Sequence, residues 1–322
     1  MIVREIPHSF KKSPLLSIQQ ILRSFVNIEY APDELLLHSG GPISDLSQIS
    51  ILMAPPTHRT LFRQPENETP LSNNLNPLYG EIDFQTSAPL IVEKQIWSNS
   101  KWVTIEISES ASLSEAMRKT SNHSCKPTLE DMPSIGSIAG LLGYDLVQWT
   151  SPVGIHSIPA TNTILGVIYR ISGYISHNRL TDQIHLVVEE HHPWSKITEF
   201  ADNELPTPPV LKGNLTPKTD SDHHHAEKIR SIIESIRGGH LYQANYGRTW
   251  RGSSQVHPWE VFKELDRTNP APYSAWLNSP DLNLSIVSSS PELLLEIDES
   301  TVYTRPIKGT RPRGDGEEAD RA

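Results

Sequence analysis

Cysteine is almost missing from this chain: Cys125 is the only one in 322 residues. No intrachain disulfide can form, and a zinc site built on several thiolates is excluded. Long apolar runs are missing too. The longest, "IGSIAGLLGYDLV", is too short to span a bilayer and contains an acid. The opening "MIVREIPHSFKKSPLL" lacks the apolar segment of a secretory signal. These absences set the expectation of a cytoplasmic protein with no membrane partner. Positive charge is also short: 28 Lys and Arg against 38 Asp and Glu give a net charge of −10. Such a field discourages nucleic acid and acidic lipid, so an anionic small substrate would need a local cationic pocket. There is no phosphate-loop pattern, and Gly136, Gly140 and Gly143 lack dinucleotide-loop spacing; they read as permitting close strand packing. His223, His224 and His225 are successive, so they fan out at a helix start and do not converge on one ion.

With 36% hydrophobic and 20% charged residues, the chain suits a soluble globular fold with a substantial core. The stretch 64–77 reads as a surface loop, and the four prolines of 203–222 read as a linker. The expected domains are therefore 1–202 and 223–322, separated by the linker 203–222. The first part reads mostly as strands, at 34–40, 49–55, 101–107, 163–176 and 183–190. Helical spacing marks 15–25 and 112–121. Beyond the linker, Ile229, Ile232, Ile233 and Ile236 follow a helical period that Gly238-Gly239 ends. A strand at 240–250, a helix near 258–267 and two further strand runs follow. The pattern predicts an α+β fold of large antiparallel sheets packed face to face, with flanking helices.

The last strand pair, "SSSPELLLEI" then "TVYTRPIKGTRPRG", carries the most suggestive chemistry. If 298–300 form a three-residue loop, Ile297 faces Thr301 and Glu292 faces Pro306. Lys308 is then the diagonal neighbour of Glu292 on the same face, about 7–8 Å away. Leu293, Leu295 and Ile297 point to the other face, where they could anchor the ribbon. Pro306 cannot donate to a ladder, so the sheet should fray there. A lysine becomes a nucleophile when desolvation or nearby positive charge lowers its pKa, and Arg305, Arg311 and Arg313 could supply that charge. Glu292, if protonated, could assist a leaving hydroxyl. On residue types alone, a solvated turn rich in Lys and Arg, paired with acids nearby, is the better fit.

"YTRPIKGTRPRG", "SSSPELLLEI" (288–297), "HLYQANYGRTW" (240–250) and "NPAPYSAWL" (269–277), in this order, resemble the chorismate-binding family. That family includes the large subunits of anthranilate synthase and aminodeoxychorismate synthase. "LLLHSG" (35–40) and "IAGLLGYDLV" (138–147) resemble the N-terminal domain of its amino-forming members. The resemblance implies that Lys308 attacks C2 of chorismate while Glu292 assists departure of the C4 hydroxyl. Ammonia would then add at C4 and expel the lysine, giving 4-amino-4-deoxychorismate for para-aminobenzoate and folate synthesis. Lys308 stands where anthranilate synthases usually carry alanine, which favours the aminodeoxychorismate type. Gln243 replaces the lysine of the water-using relatives and, with Gly309 and Thr310, would contact substrate. Ser39, Asn269, Pro270, Pro272 and Tyr273 match elements that line a tryptophan pocket in several relatives; a turn and strand start that simply pack is the alternative.

The resemblance also implies a magnesium ion, held by glutamates of a C-terminal part that lies beyond "GDGEEADRA". The metal ligands are therefore expected outside this sequence, and this chain alone is expected not to be competent. Ammonia would come from a separate glutamine amidotransferase subunit or from solution. Two alternatives stay open: an anthranilate synthase, and a non-catalytic module that binds an amino acid or a partner.

Overall fold

A computed structural model describes residues 1–10, 13–24, 31–45, 47–66, 88–120, 132–150, 158–200, 216–217, 222–298 and 301–307. In chain order the first elements are β1 (Ile2–Glu5), α1 (Pro14–Ser24), β2 (Glu34–His38), β3 (Ile49–Met53), β4 (His58–Arg63), β5 (Leu90–Ser98), β6 (Lys101–Ser110) and α2 (Leu113–Thr120). Next come β7 (Ile138–Leu142), β8 (Ile164–Arg170), β9 (Gly173–Asn178), β10 (Gln183–Val188), β11 (Thr216–Pro217), α3 (Asp222–Arg237) and β12 (Trp250–Arg251). The last are α4 (Pro258–Thr268), β13 (Ser274–Ser279), β14 (Leu284–Ser288), β15 (Leu293–Asp298) and β16 (Thr301–Arg305). No described helix is long and apolar enough to cross a membrane.

The described chain forms two compact units, Met1–Leu205 with Leu265–Ala322, and Pro206–Glu264. The first contains a seven-stranded sheet in the order β1-β10-β9-β3-β2-β13-β14 and a five-stranded sheet β6-β5-β4-β8-β7. Every neighbouring pair in both is antiparallel. Leu35, Met53, Tyr174, Val187 and Leu277 from the larger sheet pack with Leu61, Val167 and Tyr169 from the smaller one. The two sheets therefore meet face to face, as the pattern predicts. Each fully buried aliphatic side chain there contributes about 1.5–3 kcal/mol. On the outer faces, α1 packs against β3 and β9, and α2 against β5 and β6. Helix α2 begins with a reciprocal cap: the Glu115 N–H donates to Ser112 Oγ, and Glu115 Oε2 accepts from the Ala111 N–H, one residue before the cap.

Strands from beyond the predicted linker complete the larger sheet. Leu36 faces Trp276 and His38 faces Ser274 across the β2–β13 pair. The expected single strand over 163–176 is two strands, and they belong to different sheets. The chain crosses between sheets at Ile171-Ser172, where Ile171 N–H donates to Ser137 and its carbonyl accepts from Gly136. Gly173 follows because a Cβ there would lie 2.4 Å from Val188. A Cβ on Gly140 would lie 2.0 Å from the Val167 carbonyl oxygen, so this glycine does permit close strand packing.

A buried polar network bolts the two sheets together. Arg59 on β4 donates to Asp33 (3.2 Å), Ser279 (3.0 Å), Gln95 (2.6 Å) and, through both terminal nitrogens, Asp281. Asp33 also accepts from Tyr169 at 2.7 Å, Trp102 at 2.8 Å and Ser279 at 2.5 Å. The Arg59 guanidinium lies 4.4 Å above the Trp102 ring.

In the second unit, β11 pairs with β12, and α3 ends where Gly239 adopts φ +74. Arg248 donates to Asp222 at 2.8 Å and lies 5.3 Å from the Trp250 ring centre. The strand expected over 240–250 does not form: 241–249 is irregular, and only Trp250–Arg251 is extended and paired. Without a paired partner strand, the aromatic and β-forming residues of that stretch have no sheet to join. Residues 67–77 of the expected loop, and 203–215 and 218–221 of the expected linker, lie outside the described residues.

Candidate active site

Strands β15 and β16 form a two-stranded ribbon. Near its turn, Asp298 pairs with Thr301 and Ile297 with Val302, one residue tighter than the predicted register. A bulge between Leu293 and Glu296 takes up the difference, so Leu293 faces Arg305 as predicted. Glu292 then stands opposite Pro306. Because proline offers no N–H, the next donor serves instead: the Ile307 N–H reaches Glu292 Oε1 at 3.3 Å. The carboxylate therefore sits on the backbone of the residue immediately before Lys308. Lys308, Gly309 and Thr310, with Arg311 and Arg313, lie outside the described residues. Glu292 itself is exposed.

One expectation about this ribbon fails. Leu295 is 56% exposed and Ile297 71% exposed, so the leucine face does not anchor it. The bulge inserts an extra residue in β15 and breaks the alternation that would have put Leu293, Leu295 and Ile297 on one face. Arg305, expected beside the lysine as a source of charge, donates to Asp45 at 2.6 Å. Gln243 is exposed in the irregular 241–249 stretch of the second unit, not on a strand.

The elements expected to form a tryptophan pocket do meet. The Gly40 N–H donates to the Ala271 carbonyl at 2.9 Å, joining the end of β2 to the 269–273 segment. Ser39 is buried, and its hydroxyl donates to the Ile49 carbonyl at 2.6 Å. Asn269 and Ser289 exchange hydrogen bonds, at 3.2 and 2.6 Å. The Tyr273 N–H donates to Ser290 at 3.0 Å, next to Pro291 and Glu292. Burial pushes the Tyr273 phenol pKa up; Arg305 opposes the shift, while Glu296 and Asp45 add to it. Pro270 and Pro272 flank Ala271 in this segment. An apolar cavity of about 170 Å³ lies nearby in the sandwich, lined by Leu35, Leu37, Ile51, Met53, Ile138 and Tyr174 among others. None of the five predicted pocket residues lines it.

Sequence reading missed a relay beneath Ser39. The Ser39 N–H donates to Ser50 Oγ (3.0 Å), which lies 3.2 Å from His38 Nδ1, and His38 Nε2 is 3.1 Å from Asp266. Ser, His and Asp in a line suggest a nucleophile. Yet Ser50 is 1% exposed and already accepts the Ser39 N–H, so it offers no open face to a substrate. The relay joins β2, β3 and α4. No signal in the local sequence links three residues so far apart.

A chorismate binding enzyme family profile matches residues 78–322. Aminodeoxychorismate synthase component 1 of Escherichia coli is 27% identical over 296 residues, 90% of this chain and 57% of that protein. Anthranilate synthase component 1 1 of Haloarcula marismortui is 42% identical over 120 residues, 37% of this chain and 24% of that protein. Among solved structures, anthranilate synthase component I from Streptococcus pneumoniae superposes with a TM-score of 0.54 at 16% identity. That match covers 82% of this chain and 55% of that one, and it shows the fold. The chain spans less than three-fifths of the length of each of these relatives. With more than half of its length matched by the family profile, the chain belongs to the chorismate-binding enzymes.

Proposed function

We propose that the protein carrying this sequence is an aminodeoxychorismate synthase component I, converting chorismate and ammonia to 4-amino-4-deoxychorismate. The observation that carries this reading is Glu292, with its carboxylate on the Ile307 N–H, one residue before Lys308. In the proposed cycle the Lys308 amine adds at C2 of chorismate, both ring double bonds shift, and the C4 hydroxyl leaves as water with a proton from Glu292. Ammonia adds at C4, the two double bonds shift back, and the C2–nitrogen bond breaks to release Lys308. Splitting one displacement into two additions lowers each barrier. A separate glutamine amidotransferase is the proposed source of ammonia. Gln243, Gly309 and Thr310 are proposed substrate contacts; Ser39, Asn269, Pro270, Pro272 and Tyr273 are proposed to surround an amino-acid ligand.

Magnesium belongs to the family resemblance. Among the described residues no three His, Cys, Asp or Glu side chains are grouped to hold a metal ion. The second reading, anthranilate synthase, is favoured by the 42% identity to the Haloarcula protein over the matched segment.

Product identity separates the two. The protein carrying this sequence, supplied with chorismate, ammonium and magnesium, should release aminodeoxychorismate and not anthranilate by chromatography. Lys308→Ala should abolish turnover, and Glu292→Gln should reduce it by about 10²–10⁴-fold. Aminodeoxychorismate formed at an unchanged rate by Lys308→Ala would remove the lysine from the mechanism.

A further inference from the structure

The β15–β16 ribbon shares no strand pairing with either large sheet among the described residues. Leu294, Ile297 and Val302 on it are 83%, 71% and 60% exposed, so apolar packing does little to hold it in place. Among the described residues, polar contacts tie it down on both sides. Where the chain approaches β15, the Asn269–Ser289 pair and the Tyr273-to-Ser290 hydrogen bond staple residues 289–290 to the 269–273 segment. Where the chain leaves β16, Arg305 donates to Asp45 Oδ2 at 2.6 Å.

Asp45 stands on a firmly held loop between β2 and β3. Arg179 donates to the carbonyls of Gly40 (3.3 Å), Gly41 (2.6 Å) and Ser47 (2.9 Å), and its own N–H donates to Gln48 at 2.7 Å. Within the loop, the Ser47 hydroxyl donates to Pro42 at 2.6 Å and accepts the Ser44 N–H at 3.2 Å. Three carbonyls on one guanidinium give the loop a fixed shape, and its acid then reaches out to the ribbon. The staple at 289–290 acts only where the chain enters the ribbon. The Asp45–Arg305 contact acts at the strand end that continues through Pro306 and Ile307 into Lys308.

We propose that Asp45 is a positioning residue: through Arg305 it holds the end of β16 so that Ile307, the residue before Lys308, stays on the Glu292 carboxylate. The catalytic consequence rests on the assignment of Lys308 and Glu292 above; the mechanical part does not. An exposed ion pair shifts a local opening equilibrium by up to about five-fold, so the effect is a bias and not a lock.

Hydrogen exchange measured by mass spectrometry on the full chain tests the mechanical part. Asp45→Ala should speed exchange of amides in 301–307 by about two- to five-fold. Amides of α3 should be unaffected, and Asp45→Glu should keep most of the protection. The double swap Asp45→Arg with Arg305→Asp should restore it. In the active protein, kcat should fall in Asp45→Ala with KM nearly unchanged, and recover in the swap. Unchanged exchange at 301–307 in Asp45→Ala, or a swap as labile as the single variant, overturns the strut. Altered exchange with unchanged kcat overturns its catalytic role. Altered exchange alongside an active Lys308→Ala keeps the strut and overturns the reaction assignment instead.

Discussion

Asp33→Ala is the most informative perturbation of the fold. Its side chain is fully buried, as is the Arg59 side chain at 1% exposure. Two carboxylate oxygens accept from Arg59, Tyr169, Trp102 and Ser279. Removing the acid leaves the Tyr169 hydroxyl and the Trp102 indole N–H buried without that acceptor, at about 1–3 kcal/mol each. Arg59 keeps Asp281 and Gln95, so its charge stays compensated in part. Breaking one partner of a buried ion pair typically costs about 3–5 kcal/mol, and the two orphaned donors bring a similar total. For a unit of this size that corresponds to a fall in Tm of roughly 6–20 °C. Circular dichroism during heating, with urea titration for the free energy, would measure it. Asp33→Asn keeps an acceptor oxygen and should lose less, which separates shape from charge. A cycle with Arg59→Met should return a coupling of at least about 1 kcal/mol. If Asp33→Ala lowers stability by under about 0.5 kcal/mol, the network is not the bolt between the sheets.

Gly140→Ala should destabilise by about 3 kcal/mol, or prevent folding, because the new methyl meets backbone atoms of β8 that cannot turn away. Gly247→Ala, with open space around it, should be close to neutral in the same urea titration. His192 accepts the Trp194 N–H through Nδ1, and burial pushes its pKa below the ordinary histidine value, with Pro55 and Glu189 opposing. Burial depresses His177 as well, against the hydrogen bond and charge of Asp182. The unfolded chain thus binds protons more readily than the folded one, so stability is full above about pH 6.5 and is lost as pH falls through that value. Tm followed from pH 8 to 5 should show this slope, and His192→Asn should flatten it; an unchanged slope in that variant would exclude His192 as a source.

Much of the local structure was legible because its causes are local. Helix α2 is announced by the helical spacing of 112–121, and β2 by its run of leucines. The pairing of Leu293 with Arg305 follows from the turn plus a period of two, and the bulge happens to restore it. Other strands were hidden by their polar residues. In β4 and β5, Arg59, Glu93 and Gln95 are buried among partners, so the alternation that marks a half-exposed strand is broken. Glu93 shows why such residues are tolerated. Burial works against its ionisation, but hydrogen bonds from Thr104, Arg63 and Gln95 outweigh it and pull the pKa down. The run 163–176 reads as one strand because β8 and β9 are both apolar on either side of Ile171-Ser172. The switch of sheets there depends on what lies opposite Gly173.

The sequence by itself determined the lone thiol, the acidic balance, the helix starts and the family motifs. Each of these depends on composition or on neighbours a few positions apart, where turn geometry and side-chain period act. Only the tertiary structure decided that β13 pairs with β2, that Arg59 joins two sheets, and that Asp45 reaches Arg305. Most of those contacts join residues more than two hundred positions apart, and each forms only once the folded chain has brought complementary charges and donors within about 3 Å of one another.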